Sequence, residues 1–256
     1  MTEGEEERIF YSVNICPANA QTMSTQIKSM IQSSIGRKWI VAITGILMIG
    51  FIFVHMTGNL QMFAGRPDKI NLYAHLLHSY PVVLWGFRLG LLAVTALHIW
   101  GTLSLARENR RAKPVDYAVA GRKSRLKVTW TSVTMVISGT VILGFVVFHL
   151  LHFTAQVVDK SYASMETAVG GVAMHDVYRM VIKGFSNPWI SGFYLIAMAL
   201  LFSHLKHGAA SVFQTFGLRD RQLVQVIQTG AWILALALFV GFSSIPVGVM
   251  LGWIRP

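Results

Sequence analysis

The chain has 256 residues, of which 54% are hydrophobic and only 13% charged, about half the charged share of a soluble globular domain. That composition excludes an ordinary soluble protein, because too little polar surface remains to face water. The formal charge of +11 sits in short segments between apolar runs, which fits loop bias at a membrane better than a nucleic-acid stripe, and the single Cys16 excludes an internal disulfide or a Cys-ligated cluster.

The N-terminus, MTEGEEERIF, is acidic and has no basic segment followed by an apolar core, so no cleaved signal peptide is expected. The acidic tip reads as disordered, and residues 20–34 (AQTMSTQIKSMIQSS) read as a short interfacial helix. A bilayer core of about 30 Å needs roughly 20 apolar helical residues, and five stretches qualify: about 39–63, 82–106, 129–157, 189–213 and 226–253. The expected fold class is an all-α membrane protein, a bundle of five transmembrane helices over residues 36–256 preceded by an N-terminal segment, residues 1–35. Glycines within the spans suit close backbone approach in membranes, and no long internal repeat is visible.

The connections carry the orientation signal. Arg107, Arg110, Arg111, Lys113, Arg122, Lys123, Arg125 and Lys127 lie between the second and third spans. Lys28, Arg37 and Lys38 precede the first span, and Arg219 and Arg221 follow the fourth. The other side is poorer in cations, so the positive-inside rule places the N-terminus in the cytoplasm and the C-terminus outside.

With that topology His55 and His149 fall in the outer halves of spans one and three, and His98 and His204 in the inner halves of spans two and four. At about 1.5 Å per residue the two levels are expected very roughly 15 Å apart. Histidines facing across a bundle suit bis-imidazole ligation of haem, two of which would carry electrons across the bilayer. A histidine in a membrane helix also commonly does no more than hydrogen-bond a neighbouring helix. The spans contain no carboxylates, which commonly complete zinc or di-iron sites.

The stretches SSIGRKWIVAITG, HMTGNLQMF, NLYAHLLHS, ALHIWG, VISGTVILGFVVFHLLHFT and HLKHG resemble the cytochrome b membrane anchor of succinate:quinone oxidoreductases, the succinate dehydrogenases and fumarate reductases. The resemblance is closest to the b558 type, a single five-helix subunit with two haems b, and covers about residues 33–256. It implies iron ligands at His55, His98, His149 and His204, paired His55/His149 and His98/His204. His152 and His207 are then neighbours expected to contact propionates, backbone or quinone. Some relatives carry a Glu two residues before the span-four ligand, implicated in proton movement; here Phe202 stands there, which puts such a route in doubt.

The resemblance further implies a flavoprotein subunit that handles succinate and an iron–sulfur subunit that relays electrons, with this chain anchoring them and serving quinone, menaquinone being favoured. A bacterial cytoplasmic membrane is the implied location. The basic 107–127 connection would dock the iron–sulfur subunit, or would serve only as a topology signal. Lys69, Asn71, Tyr73, His75 and His78 are candidates for a quinone site, or are a solvated outer loop. Arg88, inside span two at the outer level, is expected to pair with a haem propionate. The rivals are a dihaem anchor of another quinone-linked complex (hydrogenase, formate dehydrogenase or b561-like) and a haem-free transporter with histidine relays.

Overall fold

A computed structural model describes residues 33–111, 122–217 and 220–256, together with Thr25 and Ile31. Most of the expected interfacial helix over 20–34 and the centre of the basic 107–127 connection lie outside the described residues. Among the described residues seven α-helices follow in chain order: α1 (Ser34–Asn59), α2 (Asp68–His78), α3 (Pro81–Arg111), α4 (Arg122–His149), α5 (Val177–Phe185), α6 (Pro188–Thr215) and α7 (Arg221–Met250). Five of the apolar segments are long enough to cross a bilayer: Ser34–Phe63, Pro81–Arg111, Thr134–Thr154, Pro188–Thr215 and Gln222–Met250.

The ends of these helices follow local chemistry. Ser33 caps α1 by accepting the Gly36 amide at 2.9 Å. Asn187 caps α6 by accepting from Trp189 and Ile190, with Pro188 in the first turn, where its missing N–H costs nothing. Asp220 caps α7 in the same way through Gln222 and Leu223. At its far end α4 loosens into a π turn over Leu150–Thr154, closed by the Ala155 amide donating to the Leu150 carbonyl at 2.7 Å.

Side by side, α3 packs on α1, α1 on α6, and α6 on α4, while α7 lies against both α1 and α6. The spans α3–α1–α6–α4 thus trace three sides of a quadrilateral, the fourth, α4 to α3, not being among the closely packed pairs of the described residues. Neither of its diagonals, α1 with α4 or α3 with α6, is among the closely packed helix pairs of the described residues. At the end where α3 finishes, Glu108 accepts from Ser34 at 3.1 Å and meets Arg37 at 3.4 Å.

The opposite end carries a folded cap. It is built from α2, a two-stranded antiparallel hairpin (β1, Glu166–Val169; β2, Val172–His175), α5 and the C-terminal residues. Its core gathers Met62, Ile70, Tyr178, Val181, Ile182 and Phe185 with Ile245 and Val249 of α7. Asn71, 1% exposed, is the link between the two connections. Its Nδ2 donates to Asp176 Oδ1 at 3.2 Å, and its Oδ1 accepts the Tyr178 amide at 3.0 Å. The Tyr178 hydroxyl donates to the Arg255 carbonyl at 2.9 Å, which ties down the C-terminus.

Candidate functional site

The centre of the quadrilateral holds the four span histidines, and each is half-buried although it sits in the body of a membrane-length helix. Near the cap, the rings of His55 on α1 and His149 on α4 face each other across one diagonal. Their centres are 5.8 Å apart and the planes are nearly perpendicular, at 84°. Phe51 stacks on His55 at 5.4 Å, and Phe145 holds the corresponding place beside His149 at 5.9 Å.

The second pair lies deeper. On α3, His98 sets its Nδ1 3.0 Å from the Thr44 hydroxyl of α1. On α6, His204 sets its Nδ1 3.1 Å from the Ser138 hydroxyl of α4. Thr44 precedes His55 by eleven residues on α1, and Ser138 precedes His149 by eleven on α4. At 1.5 Å per residue the levels are therefore about 16 Å apart along the bundle.

Among the described residues no group of three or more His, Cys, Asp or Glu gathers. The donor set is two imidazole pairs. A metal–imidazole bond is about 2 Å long, and the iron-bound nitrogen stands about 1 Å from its ring centre. An iron held between two imidazoles therefore needs ring centres about 6 Å apart, and the His55–His149 separation of 5.8 Å meets that requirement. The His55–His149 pair thus has the spacing that a bis-imidazole haem requires, and His98 and His204 offer the same donor type at the deeper level.

His152, one turn beyond His149, does something different. It is fully buried, with Nδ1 3.0 Å from the Tyr194 hydroxyl and Nε2 3.2 Å from the Tyr162 hydroxyl. Both ring nitrogens are occupied by protein, so His152 has none to offer iron. The same Tyr194 hydroxyl lies 3.3 Å from His149 Nδ1 and so joins the two histidines. His207 is exposed, and its Nδ1 meets the Ser203 carbonyl of its own helix at 2.8 Å.

Arg88 is half-buried and stacks on Trp85, its guanidinium carbon 5.1 Å from the ring centre. Among the described residues no carboxylate pairs with it. Phe202 packs beside Phe239 of α7 at 6.0 Å, so an aromatic contact stands where some relatives of the resembled family carry an acid.

The candidate quinone residues do not converge. Lys69, His75 and His78 are exposed, and His78 meets only the Ala74 carbonyl of its own helix at 2.8 Å. Tyr73 lies against Gly58, whose missing side chain makes the room. The Asn71 amide is spent on the cap.

Thr44, Ser138, Tyr194 and Tyr162 escape a reading of the chain that follows histidines alone. A signal for the first two is present nonetheless. Residues 44–55, TGILMIGFIFVH, align without gaps on residues 138–149, SGTVILGFVVFH, sharing Gly, Gly-Phe and His behind a hydroxyl residue. The partner helices share a second register, Gly-Phe followed by His, at 86–98 and 192–204. Arg88 and Tyr194 then hold equivalent places. No family model, no curated protein and no solved structure matches the chain.

Proposed function

We propose that this chain is the dihaem cytochrome b anchor of a succinate:quinone oxidoreductase. The observation that carries the reading is the facing of His55 and His149 at a ring separation suited to a shared iron, above a second histidine pair about 16 Å deeper. His55 and His149 would hold one haem b, and His98 and His204 the other. When bound, each haem supplies a one-electron carrier, and two levels span much of a 30 Å membrane core.

The chain's own residues orient the ligands and keep the pairs apart in depth. Tyr194 and Asn59 stand beside the cap-side histidines, and Thr44 and Ser138 beside the deeper two. The flanking Phe51, Phe145 and Phe242 supply an apolar lining. In this reading the membrane is a bacterial cytoplasmic membrane, with the N-terminus in the cytoplasm and the cap outside. Electrons pass between an iron–sulfur subunit at the cytoplasmic face and a quinone, menaquinone being favoured. Succinate is oxidised on the flavoprotein subunit and not on this chain.

A reduced-minus-oxidised spectrum of the purified chain tests the first part. A b-type band with two haems per chain is expected, and a spectrum without one would sink the reading. Co-purification tests the second part. Flavin and iron–sulfur subunits identify this complex, whereas recovery with a hydrogenase or formate dehydrogenase replaces it with that assembly.

A further inference from the structure

The two deeper histidines are held by one device used twice. The Thr44 hydroxyl lies 2.6 Å from the Ile40 carbonyl and 3.2 Å from that of Val41, and the Ser138 hydroxyl lies 3.2 Å from the Met135 carbonyl. A hydroxyl has one proton; given to the preceding helical turn, whose carbonyls stand 2.6 Å from Thr44 and 3.2 Å from Ser138, it leaves each oxygen only accepting towards the imidazole. A neutral imidazole that donates from Nδ1 carries its lone pair on Nε2. Both hydroxyls are buried, Thr44 at 5% and Ser138 at 6% exposure, so water does not compete for the contact. The next residue is a glycine in each helix, and a Cβ added at Gly45 or Gly139 would rest 3.5 Å or 3.4 Å from Cε1 of the same ring. Each ring thus lies over a hydroxyl–glycine step, in a helix pair that recurs in the second half of the bundle.

We propose that Thr44 and Ser138 are the positioning residues that set His98 and His204 as Nδ1–H tautomers, with Nε2 left bare to bind iron. The functional sense of the device rests on the dihaem reading; its geometry does not. A hydrogen bond to the far nitrogen of a ligating histidine fixes ring orientation and raises ligand basicity. A more basic ligand favours ferric iron, so losing the bond should raise the midpoint potential.

Thr44→Val and Ser138→Ala in the full chain are each expected to shift the ferric/ferrous equilibrium of the deeper haem about tenfold, a rise of about 59 mV. The double variant should retain that haem about 10- to 100-fold less tightly. The cap-side haem should keep its potential, and Thr44→Ser and Ser138→Thr should restore the deeper one. Unchanged potentials in both single variants would overturn the proposal. Nitrogen-15 NMR of the histidine-labelled, haem-free full chain decides it without any variant. Nδ1–H signals from His98 and His204 support the assignment, and Nε2–H signals overturn it. If the wild-type chain binds no haem at all, the dihaem reading fails, while the NMR result still decides the tautomer.

Discussion

The cap-side histidine pair and the deeper pair are built from similar helices but supported in opposite ways. At the deeper level each ring leans on one aliphatic hydroxyl from the adjacent helix, and the two supports are near copies. At the cap the supports differ. His55 has Asn59 of its own helix, which chiefly bonds the His55 carbonyl at 2.7 Å. His149 is joined through Tyr194 to His152, and through His152 to Tyr162 of the cap. The deeper level is therefore a property of helix packing alone, while the upper level is tied to a folded unit outside the spans. Disturbing the cap should reach one pair and spare the other.

The strongest test separates the two histidines of FHLLHF. His149→Ala should remove the cap-side haem altogether, taking the pyridine haemochrome yield from two per chain to one. His152→Leu should leave both haems in place. Its cost falls on stability, since it strands the Tyr162 hydroxyl in the interior, about 1–3 kcal/mol when left unsatisfied, while the Tyr194 hydroxyl keeps His149 as a partner. Thermal unfolding followed by proteolysis of the cap would read that loss. Equal haem loss in the two variants would erase the distinction drawn between these residues.

A smaller effect is expected from Asn71→Ala, which breaks both hydrogen bonds that join α2 to the start of α5. At about 1 kcal/mol for each bond, the cap should open to protease earlier while the deeper haem keeps its spectrum and potential. Quinone turnover should fall no further than cap stability does; a selective rise in quinone KM would return Asn71 to the binding site.

The smallest effect is a response to acid. Asp159 lies outside the spans and is held down to about 2 by hydrogen bonding from Ser161, with Lys183, 2.9 Å away, adding to it. Its folded value is below the ordinary carboxylate value of about 3.9. The contribution to cap stability is thus fully present above about pH 4 and fades as pH falls towards 2. Asp159→Asn should flatten the acid limb of cap unfolding by removing that contribution at neutral pH, a small loss because the ion pair with Lys183 is partly exposed. Both haem levels should be indifferent to this change.

Much of the bundle is legible in the chain. Apolar runs of membrane length mark the five spans to within a few residues at most ends, since a helix must satisfy its backbone within the bilayer. The third span is expected to run to 157, but the helix gives way to a π turn at Leu150 and the span closes at Thr154. The depths of His55, His98, His149 and His204 also follow from counting, because a helix advances by a constant rise. The 60–80 connection was harder to read. Asn71, Tyr73 and His75 are polar neighbours in sequence, and a loop or a binding cluster fits them equally. Only the arrival of Asp176 and Tyr178, more than a hundred residues later, makes Asn71 a buried link.

What the sequence by itself determined is therefore what depends on local periodicity: how many helices span, where the ionisable groups sit along them, and that no acids accompany the histidines. The tertiary structure decided that His55 faces His149, that His152 is spent on two tyrosines, and that Thr44 and Ser138 stand behind His98 and His204. Those outcomes depend on how helices rotate and approach one another. Rotation is set by packing contacts between residues far apart in the chain, and hydropathy carries no record of it.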